Sequence, residues 1–397
     1  MKNTFRSIGR RRSRGSAGFS LIEVLVSVAI MTLIMASTMS ALSQAMKANE
    51  TALLVTGMNN SLRTGMDLII RDLLQVGSGL PVGHAVQIPC CTTQINLPGP
   101  PGPISKYALG EPDLDAVKVG TRLGPLVNQI AGTACTAESA TCVKTDIITT
   151  MAADSTFTDV RLTSRLANGT RITVDPAVNI LGGADRILPG QLIMLEKGSY
   201  TVLLQVTQVD SSPSAHTITF DAADSLNLNV HNAASGSVNG VAGLNAWAPA
   251  GDTAPEPGQT FLHTTATRIR MISYYIDATD PAHPKLVRRI NNGDPLEFDN
   301  NSGSVVAFDV DNLKISYDIA DGDTNPAGIT FSAADFAAGG KCFTATCSPA
   351  QIRKVNVLLS ARSRLPFSTT RKYFHNTLTT QVSLRGMSFV NEYAPPQ

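Results

Sequence analysis

The chain has 397 residues, with 32 Lys and Arg against 31 Asp and Glu, 43% hydrophobic and 5% aromatic residues. Six of the cations, Lys2, Arg6, Arg10, Arg11, Arg12 and Arg14, fall in the first 18 residues with no acid among them, leaving 26 cations against 31 acids for the rest. That acidic remainder argues against a nucleic-acid-binding body, which needs a basic face to neutralise phosphates, and the low charge with many Ser, Thr, Asn and Gly suits a secreted, strand-rich body better than a cytosolic enzyme.

Residues 1–18 form a basic leader that runs directly into an apolar stretch. From Phe19 to Leu42 the chain reads FSLIEVLVSVAIMTLIMASTMSAL, with Glu23 as its single charge, and about 20 such residues cross a bilayer as a helix. The arginines in front stay cytoplasmic by the positive-inside rule, which places the body after residue 45 outside the cytoplasm. Two features separate this segment from an ordinary signal peptide. A carboxylate at Glu23 inside a membrane helix costs on the order of 3 kcal/mol, so a partner is expected for it. Gly18 also precedes the apolar run, whereas a signal peptide is cut after its apolar region. A plain signal anchor, or a signal peptide cut near Ala45, must treat Gly18, Phe19 and Glu23 as coincidence.

The run Gly18-Phe19-Ser20-Leu21-Ile22-Glu23 resembles the type IV prepilin motif. The resemblance implies cleavage between Gly18 and Phe19 by a prepilin peptidase, N-methylation of Phe19 by the same enzyme, and an assembly role for Glu23 at the fifth mature position. It further implies other minor and major pilins, and the inner membrane, as partners. The physics of such a cut can be stated separately. Removing only the leader keeps the apolar helix as both anchor and polymerisation core. Within a filament the Glu23 carboxylate can pair with the Phe19 amine of a neighbouring subunit, offsetting two desolvated charges at once.

Residues 43–76 continue the helix with an amphipathic pattern: Leu42, Met46, Leu53, Leu54, Met58, Leu62, Met66, Ile69, Ile70 and Leu73 recur three, four or seven apart. One helix from Phe19 to Gln75 is predicted, rising roughly 85 Å at 1.5 Å per residue, so its distal half packs on a domain beyond the membrane. Gly57 and Gly65 each weaken a helix by about 1 kcal/mol relative to Ala, which points to a bend or to close packing. The run Gly77-Ser78-Gly79-Leu80-Pro81 ends the helix. A helix half in a membrane and half on a sheet resembles the pilin architecture.

Residues 77–259 read as a β-rich region with loops and 260–397 as a C-terminal antiparallel β region. LPGPPGPIS at 97–105 is loop or polyproline-like surface. DIITTM, DVRLTS, RITVDP and HTITFDA read as strands, and QLIMLEKGSYTVLLQVTQVD as a hairpin turning at Gly198. Residues 230–259 are a long loop or a boundary between sheet regions. Strands follow in ATRIRMISYYIDA, HPKLVRRINN, VVAFDVDNLKISYDIA, IRKVNVLLSARSR and TLTTQVSLRGMSFV. The order of these C-terminal segments resembles the large W-type (PilW) minor pilins and, more distantly, the J-type pseudopilins of type II secretion. The fold class expected is α+β, a long N-terminal helix against antiparallel sheet.

Six cysteines allow 15 connectivities. The short-range pairs Cys135 with Cys142 and Cys342 with Cys347 are the disulfides expected in an oxidising compartment, with Cys90 and Cys91 adjacent to each other. Neither spacing suits a zinc ribbon, so no metal is expected. No cofactor is expected, and no catalytic motif such as GxSxG, HExxH or GxxxxGK[ST] occurs. The six histidines, His84, His216, His231, His263, His283 and His375, read as surface or loop residues. Asp318, Asp321, Asp323 and Asn325 imitate the start of a calcium loop, but its glutamate position falls on Ser332, which favours a solvated turn. The function expected is that of a minor pilin at the tip or in the assembly of a type IV pilus. The alternatives are a J-type minor pseudopilin and an adhesin-like tip module formed by residues 82–259.

Overall fold

The computed structural model describes residues 20–81, 86–88, 95–99, 106–107, 113–130, 132–165, 170–183, 186–198, 200–210, 216–222, 224–229, 264–291, 303–319, 330–332, 352–367 and 371–389. The expected loop at 230–259 lies outside them, as do Gly18, Phe19, Cys90, Cys91, Cys342 and Cys347. The chain divides into two compact units, one ending at Leu53 and the other running from Leu54 to Gln397. The fold class is α+β.

Helix α1 spans Leu21–Leu73. It starts where the Ser20 carbonyl accepts the Glu23 and Val24 amides at 2.9 and 3.2 Å, and no proline interrupts it. In the first unit its described residues from Ser20 to Asn49 are all exposed. In the second unit one face is buried, through Met58, Leu62, Gly65, Met66, Ile69, Asp72 and Leu73. Burial of the predicted stripe therefore begins at Met58, whereas Leu42, Met46 and Leu53 stay exposed.

The two helix glycines have opposite surroundings. A Cβ on Gly65 would meet Leu286 Cδ2 at 3.0 Å, Ala307 Cβ at 3.2 Å and Leu359 Cδ2 at 3.3 Å, whereas nothing lies within 4 Å of one on Gly57. Gly65 thus lets the helix backbone approach the sheet, and Gly57 serves no packing. Gly65→Val is expected to cost about 1–3 kcal/mol through overpacking, and Gly57→Ala to gain up to about 1 kcal/mol; denaturant titration of the full chain in detergent checks both.

The helix stops by docking on a strand. Gly77 takes φ +77° and donates its amide to the Met151 carbonyl at 3.0 Å, while the Ala153 amide reaches the Ser78 carbonyl at 2.8 Å. A Cβ on Gly79 would lie 2.6 Å from that of Ala153, so the turn needs a glycine there.

Eleven strands form one antiparallel sheet: β1 (Val117–Gly120), β2 (Ile147–Ala153), β3 (Val160–Arg165), β4 (Arg171–Val174), β5 (Leu192–Lys197), β6 (Tyr200–Gln205), β7 (Gln208–Val209), β8 (Thr217–Thr219), β9 (Thr265–Asp277), β10 (Lys285–Ile290) and β11 (Ser304–Phe308). Four more form a second sheet in the order β13-β12-β14-β15: β12 (Val310–Ile319), β13 (Thr330–Ser332), β14 (Ile352–Arg362) and β15 (His375–Ser383). The 13-residue β9 is the hub of the large sheet. Its first half pairs with β5, from Glu196↔Thr265 to Leu192↔Ile269, and with β3 at Ala266↔Val160. Its second half pairs with β2 and β10, bringing Tyr274 opposite both Ile148 and Arg288. The β5–β6 hairpin turns at Gly198, φ +63°.

One expected run divides. VVAFDVDNLKISYDIA reads as one strand segment, but Asp309 takes φ +58° and ends β11. Its carboxylate meets His283 Nδ1 at 2.8 Å and its carbonyl accepts the Arg362 amide at 2.9 Å. The left-handed residue turns the chain out of the large sheet, so β12 begins the second one.

Three large apolar cores occur among the described residues, beside a small cluster of Ile147, Tyr275 and Val287. The first joins the helix residues Met58, Leu62, Met66, Ile69 and Leu73 to both sheets, through Ile148, Ile272, Leu286, Leu313, Val357 and Leu359 among others. The second lies among β3, β4, β5, β6 and β8, with Leu162, Ile172, Leu195, Leu204 and Phe220. The third gathers Val86, Leu97, Leu114, Met194, Leu203 and Met271. Each Leu, Ile or Phe fully buried in this way contributes about 1.5–3 kcal/mol before entropy.

Candidate assembly segment and helix anchor

The segment expected to carry processing and assembly is the start of α1. Glu23 lies in its first turn, where the positive end of the helix dipole favours a carboxylate by about 0.3–1 kcal/mol. No described cation forms an ion pair with it. The apolar side chains around it are presented outward, Leu21 at 80% and Ile22 at 70% exposure. The hydroxyls within the run turn back on the helix. Ser27 Oγ donates to the Glu23 carbonyl at 2.7 Å, Thr32 Oγ1 to Ala29, Ser37 Oγ to Ile34, and Thr38 Oγ1 to Ile34 and Met35. Side chains satisfied in this way can enter an apolar medium without a lost hydrogen bond. Glu23 is the one charged group in the run from Phe19 to Leu42, and its desolvation is the costliest there. By length and composition α1 can cross a membrane.

The second element is a polar anchor on the buried face of α1. Asp72 Oδ2 accepts Tyr274 Oη at 2.5 Å and Arg288 Nε at 2.6 Å, while Arg288 Nη2 reaches Oδ1 at 3.5 Å. The Asp72 side chain is 5% exposed and that of Arg288 13%. Tyr274 and Arg288 sit opposite each other on β9 and β10, so one carboxylate ties the last turn of the helix to two neighbouring strands. Burial, then the charge and hydrogen bond of Asp72, push the Tyr274 phenol above its ordinary range. The phenol stays a donor to the carboxylate.

Other polar clusters have structural surroundings. At Asp154 burial acts to raise the carboxyl, but hydrogen bonds from Thr156 and the charges of Arg268 and Arg270 outweigh it and hold the group below its ordinary value. Arg268 Nε and Arg270 Nη2 lie 3.0 and 2.8 Å from Asp154 Oδ2. Asp318 gives both oxygens to side-chain amides, Oδ1 to Asn356 at 3.0 Å and Oδ2 to Gln381 at 2.9 Å. These bonds make Asp318 part of the β12–β14–β15 ladder; Asp321, Asp323 and Asn325 lie outside the described residues. Among the described residues no group of three potential metal ligands occurs.

Cys135 and Cys142 form a disulfide, with Cα atoms 5.9 Å apart. It closes the loop between the paired segments Leu126–Asn128 and Cys142–Lys144. His283 and His375 are each set against an aspartate, Asp309 at 2.8 Å and Asp311 at 3.0 Å. His84, His231 and His263 lie outside the described residues. Sequence reasoning missed the Asp72 anchor, although a signal was present: Asp72 interrupts the apolar stripe between Ile69 and Leu73.

A family model described as the prokaryotic N-terminal methylation motif matches residues 13–39. The match takes in Gly18, Phe19 and Glu23 and the start of α1. No curated protein and no solved structure matches the chain. The protein is type IV prepilin-like, a subunit of the pilin or pseudopilin type. Such a motif implies processing by a prepilin peptidase and assembly with other pilins, and the apolar start of α1 fits a single-pass membrane anchor.

Proposed function

We propose that the protein is a minor pilin, acting at the tip or in the initiation complex of a type IV filament, and that its role there is structural rather than catalytic. The observation that carries this reading is the methylation motif at residues 13–39 leading into an exposed apolar helix and then into a body running from Leu54 to Gln397. A major pilin packs thousands of copies around a thin fibre, and a body of this size would crowd such a lattice. A subunit used once or a few times escapes that limit.

In this reading the peptidase cuts between Gly18 and Phe19 on the cytoplasmic side and methylates Phe19. The body stands on the outer face of the inner membrane, and outside the cell when incorporated in a filament. An oxidising compartment there suits the Cys135–Cys142 disulfide. The test is the mass of the mature N-terminus: the expected product begins at N-methylated Phe19, and an intact leader or a cut near Ala45 overturns the reading.

A further inference from the structure

Strand β15 ends the second sheet, where its paired neighbour is β14. Which way its backbone points follows from the two ends of that pairing. The Ser363 amide donates to the Phe374 carbonyl at 2.8 Å and the Leu384 amide to the Arg353 carbonyl at 2.8 Å, on the register that sets His375 opposite Arg362 and Ser383 opposite Lys354. Hydrogen-bonded and non-bonded pairs alternate along antiparallel strands, so the even-numbered residues from Phe374 to Leu384 turn their N–H and C=O groups toward β14. His375, Thr377, Thr379, Gln381 and Ser383 turn theirs outward, and the same five residues are exposed. Of these five outward amides, that of Thr377 alone meets an acceptor among the described residues, Asn376 Oδ1 at 2.9 Å.

An open edge is a template for another strand, and folded chains blunt such edges with charge, proline, shortness or a cover. Other edges of this body show those devices. On the far side of the same sheet, β13 has three residues. On β11 the Phe308 amide and carbonyl are both engaged by Ser61 Oγ of α1, at 2.8 and 2.9 Å. On β6 residues 201–205 are buried, and the Gln205 amide is capped by Asn229 Oδ1 at 2.8 Å. Strand β15 has nine residues and no Lys, Arg, Asp, Glu or Pro, and its one titratable side chain, His375, is set against Asp311 at 3.0 Å. A polar row also runs across the sheet to this edge. Gln381 Nε2 donates to Asp318 Oδ2 and to Asn356 Oδ1, both at 2.9 Å, and no donor among the described residues meets the Gln381 side-chain oxygen.

We propose that the outer edge of β15 is a strand-addition site, taken in the assembled filament by an extended, uncharged segment of a neighbouring pilin-type subunit. The outward backbone groups of Thr379 and Gln381 pair with that strand, and a hydroxyl or amide side chain on it donates to the Gln381 side-chain oxygen. A charged segment would find no acid or base on the nine residues apart from the engaged His375, and an apolar one would face Thr377, Thr379 and Gln381. The class of the partner follows from the methylation motif, which implies assembly with other pilins. The proposal rests on the filament reading above.

The test compares sheared filaments with membranes by immunoblot for the full chain and three variants at Thr379. Thr379→Pro deletes an outward N–H and leaves the β14 ladder whole, Thr379→Lys adds a charge to the edge, and Thr379→Ala removes only the side chain. The expected result is a filament fraction lowered about 10-fold or more for the proline and lysine variants, with denaturation midpoints in detergent unchanged, and a parental fraction for the alanine variant. Should the proline variant lose its fold, the lysine variant decides alone. A parental filament fraction for Thr379→Lys, or an equal loss in Thr379→Ala, overturns the proposal. Light scattering of the purified chain in detergent tests the other occupant: a dimer that Thr379→Lys abolishes assigns the edge to a second copy and overturns the neighbouring subunit. A parent chain absent from sheared filaments refutes the filament reading itself, whereas a parent chain present there together with its lysine variant refutes only the edge.

Discussion

Asp72→Ala is expected to lower the unfolding free energy of the body by about 3–5 kcal/mol, because it takes the Asp72 carboxylate away from the buried Arg288 guanidinium and from the Tyr274 hydroxyl. The loss would be large for one side chain, since the carboxylate ties α1 to both β9 and β10. Denaturant titration of the full chain in detergent, followed by circular dichroism, measures it. A second variant separates pairing from packing. Replacing all three partners by apolar residues of similar volume, Asp72→Leu, Tyr274→Phe and Arg288→Met, removes every orphaned group and should recover most of the loss. If Asp72→Ala unfolds at the same denaturant concentration as the parent chain, the anchor contributes nothing.

Glu23→Ala is expected to leave cleavage after Gly18 intact and to reduce incorporation into filaments by about 100-fold, the equivalent of on the order of 3 kcal/mol for an amine left alone in an apolar core. Processing is unaffected because the peptidase acts on the leader side of Phe19. Assembly suffers because Glu23 is the only charged group between Phe19 and Leu42 that could meet that amine. Glu23→Gln should fail similarly, since it keeps the shape and loses the charge. Immunoblotting of sheared filaments against membranes gives the ratio directly, and wild-type incorporation of the alanine variant would sink the charge-pair role.

The features legible in the sequence are those whose causes are local. The leader, the apolar run and the buried stripe from Met58 to Leu73 follow from residues within a few turns of one another. The glycines illustrate the limit: both read as a bend or a close contact, and only the presence of Leu286, Ala307 and Leu359 beside Gly65 decides which applies. The Asp72 anchor was half visible. A charged residue inside an apolar stripe demands a partner, but Tyr274 and Arg288 lie 202 and 216 residues away, beyond any spacing argument. Asp309 escaped notice for another reason. Apolar and polar residues alternate from Phe308 to Asp311, and the left-handed backbone that divides β11 from β12 leaves no mark on hydropathy. For β9 the strand itself was plain, but its change of partners halfway depends on registers that no single strand encodes.

The same long reach constrains how the body can come into being. Ile272, Tyr274 and Ile276 of β9 belong to the core that receives the helix, Ala266 to the second core, and Ile269 and Met271 to the third. On the membrane-anchored reading, a chain that leaves the cytoplasm in sequence order behind a retained N-terminus therefore exposes the apolar face of α1 long before any surface exists to cover it. None of the three cores can close until Ala266 of β9 has emerged, and the helix residue Asn59 waits for Asn376, 317 residues later. Contacts of such separation form slowly. On that reading the protein is, for most of its passage, an anchored helix trailing unfinished sheet, which makes the interval between insertion and folding the stage at which it is most exposed to misassembly and proteolysis.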